Sequence, residues 1–177
     1  MKQLLITTHL YTFAVICVIA TTISSCTFKK KTDMETPTGT KENELTMLVG
    51  TYTSGDSKGI YSFRFNEETG TATALSEPEV ENPSYLAVSA DGKFIYTVSE
   101  FNKEQAAANA FAFNQEKGTL KLLNSQKTGG EDPCYIITNG NNVITANYSG
   151  GSISVFPIAK DGSLLPASDI IKFEGSG

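Results

Sequence analysis

The chain has 177 residues, of which 40% are apolar, and a formal net charge of −5 at neutral pH. This length and apolar content suit one globular domain with a buried core. Arg64 is the single arginine and no basic stripe is present, which argues against nucleic-acid binding.

Residues 1–26 have the pattern of a signal peptide. Lys2 supplies a thin basic start, and the apolar run Leu10–Ile23 is shorter than the ~20 residues that a helix needs to span a bilayer. The run ends in Ile23-Ser24-Ser25-Cys26, which resembles the lipobox of bacterial lipoproteins. That resemblance implies a lipidated Cys26, a membrane lipid anchor and a location in the cell envelope. A plain secretory signal with a chance cysteine is the alternative.

Residues 27–44 are polar and show no periodic apolar face. This composition predicts a disordered linker that acts as a tether. Lys29–Lys31 could touch anionic head groups, although a solvated charge run is the favoured interpretation.

Residues 45–177 are predicted to form the folded domain, and Asn82–Glu100 is its clearest element. Two strand-like runs flank the turn Ala90–Lys93, and the Asp-Gly pair in that turn favours a β-hairpin. The pattern recurs in Asp132–Tyr148, where a shorter turn, Asn139–Asn142, separates two similar runs.

A further strand-like run ends at a glycine three times, at Gly70, Gly118 and Gly162, and the last two of these runs follow the two hairpins. The repeat length of about 44–50 residues, built from strands and turns, is typical of propeller blades. The sequence therefore predicts an all-β fold, a β-propeller, in which all regular structure is strand.

The first repeat begins with Leu45–Thr53, which aligns with the second strand of the later hairpins, so blade one should lack its first strand. The last strand is expected from Ser163 onward. About two to three blades are therefore expected, whereas a closed propeller has about 4–8. We expect an N-terminal portion whose missing C-terminal blades are needed to close the ring.

Several motifs of residues 46–177 resemble the lactonase family of seven-bladed β-propellers, whose usual name is 6-phosphogluconolactonase. The motifs that carry the resemblance are Val49-Gly50-Thr51-Tyr52-Thr53, Gly59-Ile60-Tyr61, Asn82-Pro83-Ser84-Tyr85-Leu86, Tyr96-Thr97-Val98-Ser99-Glu100, Asp132-Pro133-Cys134-Tyr135 and Ala146–Ser152. The family implies hydrolysis of a sugar-derived lactone in carbohydrate metabolism, without a cofactor. The resemblance also implies histidines and arginines that line the site from units beyond residue 177. In this chain the one histidine, His9, lies in the predicted signal segment.

The hairpins also suggest a site. The start of one strand lies beside the end of its partner, so Ser84 should neighbour Glu100, and Cys134 should neighbour Asn147 and Tyr148. If these are inner strands, both pairs rim one mouth of the channel, where propellers usually bind ligands. Lactone hydrolysis needs a base and oxyanion donors. Glu100 is the candidate base, and Asn147, Tyr148 and Ser84 are candidate substrate-binding residues.

Simpler explanations remain for each residue. Glu100 could be a solvated loop carboxylate, and Asn147 could bond its own turn. Tyr85 and Tyr135 are expected to pack. Cys134 is expected to be a small apolar filler rather than a nucleophile, because no histidine accompanies it.

Two other function classes stay open. A propeller lipoprotein could be a non-catalytic module that binds a glycan or a protein partner. A metal-dependent sugar lactonase would use oxygens such as those of Glu100 and Asn147 around a hard cation. We expect no metal. Because an outward-facing lipoprotein does not meet cytosolic phosphorylated sugars, an unphosphorylated aldonolactone is a candidate substrate.

Overall fold

The computed structural model describes residues 43–175. Their regular structure is strand apart from one short 3₁₀ turn, Lys103–Gln105, so the all-β prediction is confirmed with this small exception. The predicted signal peptide, Cys26 and almost all of the predicted linker lie outside the described residues.

The strands form three antiparallel sheets, each of which is one blade. Blade 1 contains β1 (Glu44–Gly50), β2 (Ile60–Asn66) and β3 (Ala72–Ser76). Blade 2 contains β4 (Leu86–Val88), β5 (Phe94–Ser99), β6 (Ala107–Asn114) and β7 (Thr119–Lys127). Blade 3 contains β8 (Pro133–Thr138), β9 (Asn142–Asn147), β10 (Ser152–Pro157) and β11 (Asp169–Lys172).

Both predicted hairpins are present. β4 pairs with β5, with Leu86 opposite Thr97, and β8 pairs with β9, with Ile136 opposite Thr145. The first turn is held locally because the Asp91 carboxylate accepts hydrogen bonds from the Ser89 hydroxyl and the Lys93 amide. These two bonds lower the pKa of Asp91, with a small further contribution from the Lys93 charge.

Two strand boundaries differ from the prediction. β1 begins at Glu44, one residue before the predicted domain start. The strand expected from Ser163 is wrong: Leu164 forms only an isolated bridge with Ile158, and β11 starts at Asp169. Pro166 lies between them and has no amide hydrogen to donate to a ladder, which explains the delay. Blade 1 has three strands in the described range, as predicted, and β1 occupies the place of β5 and β9.

The apolar core lies mainly between blades. One cluster joins blades 2 and 3 and includes Tyr96, Val98, Ile136, Phe156 and Leu164. A smaller cluster joins blades 1 and 2 through Ile60, Ile95 and Phe111. Because each such side chain contributes about 1.5–3 kcal/mol on burial, the blades stabilise one another rather than folding as separate sheets.

Polar contacts fasten the same interfaces. Arg64 donates to the Thr46 hydroxyl within blade 1 and to the Glu116 carbonyl of blade 2, and Thr46 donates to the Gln115 carbonyl of blade 2. Between blades 2 and 3, the Asn124 amide both donates to and accepts from the backbone of Leu164, at 2.7 and 2.9 Å. Arg64 therefore serves the blade interface.

Blade 3 carries a group of exposed large apolar side chains, namely Ile137, Leu165, Ile170, Ile171 and Phe173. Within residues 43–175 there is no helix of the length and apolarity required to cross a membrane.

Candidate functional site

Ser84 and Glu100 meet at one end of blade 2, as the hairpin geometry predicts. The Ser84 hydroxyl donates a hydrogen bond to Oε2 of the Glu100 carboxylate. The backbone fixes this pairing, because the amide of Glu100 donates to the carbonyl of Asn82 over 3.0 Å. The carboxylate is half-buried.

Blade 1 contributes Tyr52, which the sequence did not single out. Its hydroxyl donates to the same Oε2 of Glu100 over 2.9 Å, although 48 residues separate the two in sequence. The side chain is 56% exposed. The hydrogen bond to Glu100 is the main cause that raises the pKa of Tyr52 above its ordinary value, because the carboxylate favours the protonated phenol.

Asn82 connects the two blades beneath this cluster. Its Oδ1 accepts from the amide and the hydroxyl of Thr53 at 2.9 and 3.0 Å, and its Nδ2 donates to the carbonyl of Glu100 at 3.1 Å. Asn82 adopts φ = 44°, a left-handed conformation that asparagine tolerates better than most residues. Asp132 adopts the corresponding φ of 51° in blade 3.

Asn147 does not face the mouth. Its side chain is 2% exposed and lies inside blade 3. Its Nδ2 donates to Ser152 and Ser154, at 3.1 and 2.8 Å, and its Oδ1 accepts from Thr145. The Ser154 hydroxyl in turn donates to the carbonyl of Thr128. The amide predicted as a substrate donor is therefore engaged in a structural network.

Tyr148 is the exposed candidate of blade 3. Its ring is 81% exposed, and its amide donates to the carbonyl of Asp132 over 2.9 Å, which repeats the bond between Glu100 and Asn82. Its hydroxyl has no hydrogen-bond partner among residues 43–175, so it is open to a ligand.

Tyr85, Tyr135 and Cys134 occupy the starts of the inner strands. The two tyrosine rings contact each other, with centroids 4.8 Å apart, so they do pack as predicted, yet they remain 42% and 41% exposed. Cys134 is a free, exposed cysteine, so its interpretation as an apolar filler is wrong. The repeat places it where blade 2 has Ser84.

No group of three or more His, Cys, Asp or Glu side chains within the described part of the chain is arranged to hold a metal ion. The pair suggested for a hard cation, Glu100 and Asn147, gains no support from the structure, since Oδ1 of Asn147 already accepts from Thr145. What the arrangement offers chemically is a carboxylate with one oxygen held by two hydroxyl groups and the other, Oε1, without a donor among residues 43–175. Such an oxygen can accept a proton from water.

Comparison with known proteins identifies the family. A sequence profile described as "Lactonase, 7-bladed beta-propeller" matches residues 46–177. The chain belongs to this lactonase family. The three blades are accordingly part of the family's propeller, as the sequence motifs implied.

Similar proteins include lactonase-family members with named activities. The chain is 38% identical over 122 residues to a 6-phosphogluconolactonase of Bacillus subtilis. A solved structure from Bacteroides fragilis, provisionally named a 6-phosphogluconolactonase, is 71% identical with a TM-score of 0.77. The periplasmic gluconolactonase of Pseudomonas aeruginosa is 31% identical with a TM-score of 0.66 and covers 72% of this chain.

The chain spans only part of these lactonase-family proteins. The Bacillus match covers 66% of this chain and 34% of the relative, and the Bacteroides match covers 78% of this chain and 39% of the other.

Proposed function

We propose that this chain supplies the first blades of a sugar-lactone hydrolase of the 6-phosphogluconolactonase type. The observation that carries the proposal is the Glu100 carboxylate, which residues of two blades hold at one end of the blades in a chain of the lactonase family. Glu100 acts as the general base, and Ser84 and Tyr148 contact the substrate.

The proposed reaction is addition of water to the lactone carbonyl. The water oxygen bonds to the carbonyl carbon while its proton passes to Oε1 of Glu100, and the carbonyl oxygen takes up the negative charge. When the carbonyl re-forms, the bond from that carbon to the ring oxygen breaks, and the ring oxygen receives the proton from Glu100. The product is the open hydroxy acid, and Glu100 is again a carboxylate.

Stabilisation of the oxyanion needs preorganised donors shielded from water. The hydroxyl of Tyr148 is a candidate donor, but Tyr148 is highly exposed to water in the described part of the chain. We therefore propose that further blades supply the remaining donors, and that residues 1–177 alone do not hydrolyse lactones at an enzyme's rate.

Location bears on the substrate. We propose that Cys26 is lipidated and tethers the domain to the outer side of a cell-envelope membrane, which favours an unphosphorylated aldonolactone over a phosphorylated one. The names of the relatives cover both kinds, since the Bacillus protein is a 6-phosphogluconolactonase and the Pseudomonas protein is a gluconolactonase.

The test compares two proteins, residues 1–177 alone and a ring-completed chimera, in which residues 43–175 replace the matching part of the Bacteroides fragilis relative. Both are assayed with gluconolactone and 6-phosphogluconolactone against the spontaneous rate, with the Bacillus subtilis enzyme as the positive control. We expect turnover by the chimera and none by residues 1–177.

Glu100→Gln in the chimera should lower kcat by about 10²–10⁴-fold, the range for loss of a general base. Glu68→Gln, which neutralises an exposed carboxylate in the turn between β2 and β3, is the matched control and should leave kcat unchanged. A folded chimera that hydrolyses neither lactone would contradict the proposed function and favour a binding module. Full turnover by residues 1–177 would contradict the need for further blades.

A further inference from the structure

Among the described residues of blade 1, Tyr52 is the one whose side chain has a hydrogen bond to the side chain of the proposed base. It lies in the loop between β1 and β2, beyond the end of its own strand. Such a loop residue would ordinarily be free to move, but the next residue is clamped. Thr53 donates to Oδ1 of Asn82 through both its amide and its hydroxyl, and Asn82 donates to the carbonyl of Glu100.

This clamp fixes the backbone of Tyr52 relative to Glu100. The chain from Thr53 through Asn82 to Glu100 is part-buried, and each bond is 2.9–3.1 Å long. A surface hydrogen bond between unconstrained side chains loses much of its value to side-chain entropy. Here the backbone near Tyr52 and near Glu100 is already fixed by these bonds. The hydrogen bond from the Tyr52 hydroxyl therefore costs little entropy apart from that of the two side chains.

The two donors to Glu100 act on one oxygen only. The hydroxyls of Tyr52 and Ser84 both donate to Oε2, and no described residue donates to Oε1. A carboxylate held in this way cannot rotate to exchange its two oxygens without losing both bonds. The oxygen that meets water is thus the same one at every turnover.

We propose that Tyr52 is a positioning residue that, together with Ser84, fixes Oε2 of Glu100 so that Oε1 faces the hydrolytic water. This inference rests on the proposed role of Glu100. Tyr52 itself does not exchange a proton with the substrate. It holds the carboxylate in one orientation through its hydrogen bond to Oε2.

The electrostatic surroundings are consistent with such a donor. The titratable groups that act on Tyr52 are Glu100 and, more weakly, the Cys134 thiol of blade 3, and both raise its pKa. The phenol therefore stays protonated, and able to donate, through the whole neutral range.

The first test needs no activity and uses residues 1–177. Tyrosinate absorbance is titrated in the wild type and in Tyr52→Phe, and the difference isolates Tyr52 among the 7 tyrosines. We expect Tyr52 to ionise later than a free tyrosine, and Glu100→Gln to shift its titration to lower pH. Cys134→Ser should shift it much less. If Glu100→Gln leaves the Tyr52 titration in place, the contact on which the inference depends is refuted, whatever the protein hydrolyses.

The second test is a double-mutant cycle in the ring-completed chimera. Tyr52→Phe should lower kcat about tenfold with KM within about twofold, since a carboxylate that has lost one of its two donors is held less firmly with Oε1 toward the water. In a Glu100→Gln background the same substitution should cost nothing further, because the two residues act as one unit.

Tyr61→Phe is the matched control. It also removes a blade 1 hydroxyl, one that bonds to Ser57 and the Lys58 amide rather than to Glu100, and it should leave kcat and KM unchanged. If Tyr52→Phe costs as much with Gln at position 100 as with Glu, the tyrosine acts on structure or substrate and the inference fails. If Glu100→Gln is itself silent in an active chimera, the proposed base is wrong instead.

Discussion

At the scale of single residues, burial distinguishes polar groups that stabilise the fold from polar groups that are open to solvent. Asn147 and Tyr148 are neighbours in sequence, yet the first is 2% exposed and the second 81%. Three hydroxyl groups, those of Thr145, Ser152 and Ser154, bond to the Asn147 amide, and among the described residues it is the one side-chain hydrogen-bond partner of Thr145 and Ser152. An amide with that many buried partners contributes to folding whether or not a ligand is bound.

We predict that Asn147→Ala destabilises the domain by about 1–3 kcal/mol, because it leaves buried hydroxyls without partners. The measurement is the free energy of unfolding in urea. Asn141→Ala, in the exposed turn before β9, is the control and should change it by less than about 0.5 kcal/mol. An unchanged unfolding midpoint, together with a raised KM for lactone in the chimera, would instead assign Asn147 to the substrate.

The pairing of Ser84 with Glu100 could be predicted from sequence, because strand pairing in one hairpin determines it. The contact of Tyr52 with Glu100 could not, since it depends on how a loop of one blade crosses to the next. A partial signal existed. The repeat aligns Thr51 with Glu100, which puts Tyr52 just past an inner strand end at the same mouth.

At the scale of strands and turns, one glycine position recurs at the blade interfaces. Gly118 of blade 2 lies against Ser62 and Leu75 of blade 1, and Gly162 of blade 3 lies against the ring of Phe94 of blade 2. The Tyr96 hydroxyl also donates to the carbonyl of Gly162 over 3.2 Å. The turn that closes each third strand thus packs on the preceding blade.

Gly162→Ala tests this packing, and Gly140→Ala is its matched control. The two glycines have similar left-handed φ values, 86° and 89°, but a Cβ at Gly162 would overlap the Phe94 ring whereas one at Gly140 would meet open space. The control should cost about 1–2 kcal/mol through backbone strain alone.

We expect Gly162→Ala to cost about 1–3 kcal/mol more than the control, the usual range for overpacking. Urea unfolding of both variants measures the difference, and Phe94→Leu should recover part of the excess. Equal losses in the two variants would show that this turn does not pack tightly on blade 2.

The sequence predicted strands best where turn chemistry bounds them. β4 and β5 flank Asp91-Gly92, and both ends of that hairpin fall as predicted. No such turn pair stands directly before β11. The apolar residues Leu164 and Leu165 precede this strand without joining its ladder. Hydrophobic pattern alone could not distinguish a strand there from a connecting segment.

At the scale of the whole molecule, the blade order and the location of the chain are separate questions. The three sheets and the family match establish part of a lactonase propeller. Where the protein resides depends on residues 1–26, which lie outside the described range. The proposed location therefore rests on the sequence pattern of these residues. A cysteine after two small residues at the end of a short apolar run is the pattern of a lipid attachment site.

The corresponding prediction is that Cys26 carries the acyl chains and holds the protein on a membrane. Each buried CH₂ contributes about 0.8 kcal/mol, so several chains on one cysteine anchor a soluble domain stably. Cells that express the wild type should incorporate labelled palmitate into the protein and retain it in the membrane fraction, whereas Cys26→Ala should do neither. Cys134→Ala is the matched control, because the exposed thiol of Cys134 is the other site at which a label could attach, and its label should persist. Membrane retention of Cys26→Ala, or loss of label from Cys134→Ala alone, would contradict the anchor at Cys26.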